Sequence, residues 1–183
     1  MKLLALSGSL RKHSYNTAAL EALRELCPPG LDFGIGEIKD LPLFNPDMES
    51  VHVPALEKLK SGVAQASGLV IASPEYAHGI SGPLKNALDW LVSGAEFPHK
   101  PIMLINTSPR ASYALEALKE VLVTMSGTII EPAYVSIPLL GSGLDSDGIL
   151  GNIEISHSLK AGLREFCRHI EGKTLNNALN PDA

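Results

Sequence analysis

The chain has 183 residues, 45% of them apolar, which suffices for one core of ordinary size and predicts one domain over 1–175 followed by a C-terminal tail, 176–183. Its 15 Lys and Arg against 20 Asp and Glu leave a net charge of −5, arguing against a general binder of nucleic acid or anionic membrane, so local basic groups must serve local purposes. Cys27 and Cys167 lie far apart with no C-x-x-C, and no leader-like or bilayer-length apolar segment occurs, so neither a metal site nor a dithiol motif is indicated and a reduced, cytoplasmic chain is expected.

The first predicted element is an apolar strand from Lys2 to Ser7, which breaks into Gly8-Ser-Leu-Arg-Lys-His-Ser-Tyr-Asn-Thr17. A helix follows, with Ala18, Leu20, Leu23 and Leu26 at helical spacing, and it stops at Pro28-Pro29-Gly30. Strand, polar loop and helix start together make an anion site: unpaired N–H groups at a helix N-terminus carry partial positive charge and donate hydrogen bonds. Ser7, Ser9, Ser14, Asn16 and Thr17 add side-chain donors, and Arg11 and Lys12 add charge. The loop has neither the G-x-x-x-x-G-K-[ST] of a nucleoside triphosphate site nor the G-x-G-x-x-G dinucleotide spacing, so the phosphomonoester of a smaller cofactor fits better. The plainer alternative is a polar turn that only caps its helix.

A second strand is expected over Leu31–Ile38, then a long irregular connection from Asp40 to Val53. Leu56, Leu59, Val63 and Ala66 mark the second helix, and Gly68–Ser73 the third strand. The loop Ser73-Pro-Glu-Tyr-Ala-His-Gly-Ile-Ser-Gly-Pro83 comes next, its prolines fixing φ and its glycines permitting unusual conformations. A flat, hydrogen-bonding ring suits backbone amides held outward from Glu75 to His78, with Tyr76 as an aromatic neighbour; His78 and Tyr76 otherwise serve as surface and packing residues. The third helix carries Leu84, Ala87, Leu88 and Leu91, and there Lys85, Asn86 and Asp89 are read as structural.

The fourth strand is expected over Pro101–Thr107, opening into Asn106-Thr-Ser-Pro-Arg-Ala-Ser112, where Thr107 and Ser108 offer hydroxyls and Arg110 either meets a second anionic ligand or is solvated. Leu115, Leu118, Val121, Leu122 and Met125 form the fourth helix, Glu131–Ile137 the fifth strand, and Ile155, Leu159, Leu163 and Phe166 the fifth helix. This alternation predicts an α/β fold, a doubly wound five-stranded parallel sheet of order 2-1-3-4-5 with helices on both faces. Its crevice opens where the winding reverses, beyond strands 1, 3 and 4, whose ends are Ser7, Ser73 and Thr107.

Two motifs, Gly8-Ser-Leu-Arg-Lys-His-Ser-Tyr-Asn16 and Pro74-Glu-Tyr76 followed by Gly82-Pro-Leu-Lys-Asn-Ala-Leu-Asp-Trp-Leu91, resemble those of the NADPH-dependent FMN reductase family, flavodoxin-like proteins that include bacterial quinone, chromate and azo-dye reductases. The resemblance implies non-covalent FMN, its phosphate on Ser9, Arg11, Ser14, Asn16 and Thr17 and its isoalloxazine held by Pro74, Glu75, Tyr76 and His78, with Ser108 nearby. It also implies a homodimer or homotetramer, with Trp90 and Tyr113 as candidates for subunit contact. The chain departs from the family at Ala77, where members often carry Asn.

The expected activity is ping-pong transfer from NADPH or NADH through FMN to a quinone, a free flavin, an azo compound or a metal oxyanion such as chromate. No catalytic side chain is required, because the flavin carries the chemistry. Two alternatives compete: a non-enzymatic flavodoxin-type electron carrier, disfavoured by only 5% aromatic residues and modest charge, and a flavin-free phosphate-binding protein.

Overall fold

The computed structural model describes residues 1–110 and 112–179, with side chains through 172. The expected tail, 176–183, lies outside the residues whose side chains are described. Strand β1 (Lys2–Ser7) leads into α1 (Tyr15–Glu25) and β2 (Asp32–Gly36); α2 (Pro54–Gln65), β3 (Gly68–Ala72), β4 (Glu75–Tyr76), β5 (Gly79–Ile80) and α3 (Gly82–Leu91) follow. The second half contains β6 (Pro101–Asn106), α4 (Tyr113–Thr124), β7 (Thr128–Ile129), β8 (Val135–Ser136), α5 (Ser146–Gly151) and α6 (Ile153–Leu179).

The main sheet runs β2-β1-β3-β6, with β7 and β8 both on the outer edge of β6 and all pairs parallel. With β7 and β8 sharing the fifth place, this is the expected 2-1-3-4-5 order. Register aligns the carboxyl ends: Ser7 faces Ala72, Ala72 faces Ile105, and Asn106 faces Ser136. The loops leaving β1, β3 and β6 therefore open at one level on one edge of the sheet.

Alternation along the strands divides the core into two layers. Leu3, Ala5, Val70, Ala72, Met103 and Ile105 pack against α1 and α6, whereas Leu4, Leu6, Leu69, Ile71, Ile102 and Leu104 pack against α2, α3 and α4. The helical stripes read from spacing are buried as expected at Leu56, Leu59, Val63, Leu84, Ala87, Leu88 and Leu91, and again at Ile155, Leu159, Leu163 and Phe166.

Three local expectations need correction. The fifth strand, expected as one run over Glu131–Ile137, is strand only at Val135–Ser136: Glu131–Ala133 is a 3₁₀ turn, where Pro132 lacks the N–H that a ladder needs, and the other edge piece, Thr128–Ile129, precedes the expected run. A further short helix, α5, precedes the last one; the Asp145 side chain caps it by accepting from the Gly148 N–H at 2.9 Å. Trp90, a candidate for subunit contact, is fully buried within the chain, its indole N–H donating to the Pro42 carbonyl at 2.8 Å and its ring edge-on to Phe44. Asn86 helps hold the same connection, accepting from the Phe44 N–H at 2.8 Å and donating to the Pro42 carbonyl at 3.0 Å. The irregular segment after β2 is thus tied to α3.

Candidate active site

The loop after β1 is built from hydroxyls that fold it on itself. Ser7 Oγ accepts from the Ser9 N–H at 3.3 Å, Ser9 Oγ accepts from the Arg11 N–H at 3.3 Å, and Ser14 Oγ caps α1 by accepting from the Thr17 N–H. With the Ser14 carbonyl taking the Ala18 N–H, the N–H groups of Tyr15 and Asn16 are left without an intrahelical partner. Gly8 is required by close approach, since a Cβ there would lie 2.6 Å from Ser73 Oγ on the loop after β3.

Two further bonds fasten this loop to its neighbours. Ser81, fully buried before α3, donates to the Gly8 carbonyl at 2.5 Å and accepts from the Leu84 N–H. Thr107 Oγ1, at the end of β6, donates to Asn16 Oδ1 at 3.0 Å. A serine preceding Gly-Pro at a helix start signals a cap, but its second bond joins residues 73 apart in sequence and has no local signature.

The loop after β3 is a hairpin rather than an open coil. Glu75 pairs with Ile80 and Tyr76 with Gly79, leaving Ala77 and His78 at the turn with φ of 48° and 58°. Two positive φ values in succession make a type I′ turn. The hairpin is pinned to α4: Glu75 Oε2 accepts from the Ala114 N–H at 2.9 Å, and the His78 ring stacks on Tyr113 with centroids 4.4 Å apart. The carboxylate of Glu75 thus stands where α4 has an unpaired N–H and a favourable dipole.

These loops enclose a cavity of about 340 Å³, within the size range of small-molecule sites. Ser9, Arg11, Ser14 and Asn16 line it from the first loop, Pro74, Glu75 and Tyr76 from the hairpin, and Ser108 from the loop after β6. Thr17 and His78 lie off this lining: Thr17 faces an adjoining cleft and bonds Ser7 Oγ at 2.8 Å, while His78 is engaged with Tyr113. Tyr15, Thr107, Arg110 and Leu140 complete the wall. Nothing in sequence marks Leu140, one of two adjacent leucines past the fifth strand; Tyr15 reaches the same loop by accepting from the Gly143 N–H at 3.0 Å. The guanidinium groups of Arg11 and Arg110 make no hydrogen bond or ion pair among the described residues, so the cavity presents two free positive charges.

Residues 1–140, including all these loops except its last turn, match the model of the NADPH-dependent FMN reductases. The chain belongs to that family. It is similar over 97% of its length to the probable NADPH:quinone oxidoreductase 2 of Oryza sativa subsp. japonica, at 35% identity and 94% of that protein. It is also similar to the NAD(P)H-dependent FMN reductase of Pseudomonas aeruginosa, at 34% identity over 82% of this chain and 84% of the other. Among solved structures, FerB, a flavoenzyme NAD(P)H:(acceptor) oxidoreductase of Paracoccus denitrificans, superposes with a TM-score of 0.82 at 26% identity, over 93% of this chain and 97% of FerB. As an FMN reductase family member the protein is an oxidoreductase of flavodoxin-like fold, and membership implies use of a flavin and of NAD(P)H. The readings as a non-enzymatic carrier or a flavin-free protein are thereby set aside.

Proposed function

We propose that this protein binds FMN in the cavity between its three loops and passes electrons from NADPH or NADH to a small acceptor by a ping-pong sequence. One observation carries the reading: the loops after β1, β3 and β6 converge on a single cavity that combines buried hydroxyls, unpaired helix N–H groups and a free guanidinium. That donor set suits a phosphomonoester, which is assigned to Ser9, Arg11, Ser14 and Asn16, with Thr17 bracing the loop through Ser7. The isoalloxazine is assigned to Pro74, Glu75, Tyr76 and Ser108, with His78 holding the hairpin against α4.

When bound, FMN supplies the redox chemistry, accepting a hydride from the nicotinamide and releasing electrons to the acceptor. The chain itself binds and orients. Glu75 Oε2 accepts from the Ala114 N–H, which fixes the side chain against α4, and its backbone is proposed to face the ring. Donor and acceptor are proposed to use the same face of the ring in turn, so that the oxidised nicotinamide leaves before the acceptor enters. Quinones and free flavins are the acceptors supported by the named relatives; azo compounds and metal oxyanions such as chromate extend the series. The working form is proposed to be a cytoplasmic homodimer or homotetramer.

The test is spectroscopic. Purified protein reconstituted with FMN should lose its flavin absorbance on anaerobic mixing with NADPH or NADH and regain it with a benzoquinone, and initial rates should give parallel double-reciprocal lines. Intersecting lines would remove the ping-pong scheme. Arg11→Ala combined with Asn16→Ala should weaken FMN binding by about tenfold or more, as expected for loss of charge-assisted phosphate contacts. Unchanged affinity would remove the phosphate assignment.

A further inference from the structure

The cavity holds two unpaired arginines, and the flavin reading uses one. Arg110 comes from the loop after β6, on the opposite strand of the crevice from Arg11. It is exposed, and among the described residues its guanidinium has no hydrogen bond or ion pair. Glu75 lines the same wall but forms no ion pair with it among the described residues; its carboxylate instead accepts from the Ala114 N–H through Oε2. An exposed arginine elsewhere on the surface is ordinary; one aimed into a ligand cavity with no internal counterion is a ready receptor for an anion, since its planar fork matches phosphate oxygens two at a time.

The surroundings say which anion. Three residues along the chain, at the start of α4, Tyr113 leaves 61% of its surface exposed while one ring face rests on His78, and Tyr76 on the facing hairpin is 48% exposed. Tyr76 lines the same cavity as Arg110, and a guanidinium together with an exposed aromatic ring in one cavity suits a nucleotide, phosphate by the fork and base by the ring. In a protein of net charge −5, a local cation lining the cavity favours the approach of a polyphosphate. We propose that Arg110 binds a phosphate of the nicotinamide donor, so that the loop after β6 sets donor affinity while the loop after β1 holds the cofactor. This rests on the flavin reading above.

The experiment uses flavin-loaded enzyme and three forms of the position: wild type, Arg110→Gln and Arg110→Lys. Titration with NADP⁺ and NAD⁺, which bind without reducing the flavin, reads donor affinity directly from the flavin spectrum. Arg110→Gln should weaken NADP⁺ binding about five- to tenfold, the loss of one charge-assisted contact, with Arg110→Lys recovering part of it. The KM for the donor should rise while kcat holds, and the FMN dissociation constant and the KM for benzoquinone should not move. A loss confined to NADP⁺ and NADPH assigns Arg110 to the 2′-phosphate, and an equal loss with NAD⁺ and NADH assigns it to the pyrophosphate; both support the proposal. Unchanged nicotinamide binding overturns it, as does a rise confined to the KM of an anionic acceptor such as chromate, or a weakened hold on FMN. A wild-type protein that takes up no FMN would sink the flavin reading first, and is distinguishable because it appears before any substitution is made.

Discussion

Ala77 occupies a backbone conformation that alanine disfavours. At φ 48°, followed by His78 at 58°, it stands at the first central position of a type I′ turn, where Asn, Asp and Gly are preferred because L side chains crowd the carbonyl. The site tolerates this because Glu75 and His78 fasten both sides of the hairpin to α4. Ala77→Asn should therefore stabilise the protein by about 0.5–1 kcal/mol, read as a higher melting temperature, without altering the hairpin register. A second residue-level expectation concerns Cys27, whose thiol is pushed up to about 11 by burial first, then by Cys167 and Glu25. A raised pKa favours the neutral thiol in the folded state, so this contribution to stability is full at neutral pH and fades as pH climbs through about 11. At pH 7 iodoacetamide should meet roughly a hundredfold less thiolate at Cys27 than at an ordinary cysteine, with the labelling rate climbing toward pH 11. Rapid labelling of native protein at neutral pH would contradict that environment.

At the scale of elements, the joint between α6 and the sheet depends on a missing side chain. A Cβ on Gly162 would overlap Val135 Cγ2 on β8 and come within 3.0 Å of Met103 Cε and 3.1 Å of the Ala133 carbonyl. Part of that obstruction is backbone, so the helix would have to lift. Gly162→Ala should cost about 1–3 kcal/mol by overpacking, measured by chemical denaturation, despite its better helix propensity. Periodicity identified the long helices and the central strands because their apolar stripes repeat within one element. It could not show that the fifth strand divides, since Val135 and Ile137 read as strand while Pro132 breaks the ladder beside them. Nor could it show the hairpin after β3, whose turn lacks the Asn-Gly that normally announces one.

For the whole molecule, the candidate site depends on the level ends of β1, β3 and β6. Three loops that are each unremarkable become a cavity because parallel register brings them to one edge, and Ser81 to Gly8 and Thr107 to Asn16 then hold them in place. A ligand touching all three loops would bind only the folded chain, so FMN should raise the melting temperature as its concentration rises. At a thousandfold excess over its dissociation constant the gain is about 4 kcal/mol, and its removal should reverse the shift. A melting temperature indifferent to FMN would separate the cofactor from this cavity.

By itself the sequence determined the alternation of strands and helices, the polar loop ahead of α1 and most of the residues that line the cavity, because these depend on spacing, caps and residue chemistry over a few positions. Only the tertiary structure decided that Thr17 and His78 turn aside to brace the loops, that Trp90 is an internal anchor, and that Leu140 and Tyr15 close the wall. It also decided that Glu75 Oε2 bonds the start of α4 and that Arg110 forms no ion pair among the described residues. Those outcomes rest on contacts between residues far apart in the chain, where the partner that a side chain finds depends on which strands lie side by side.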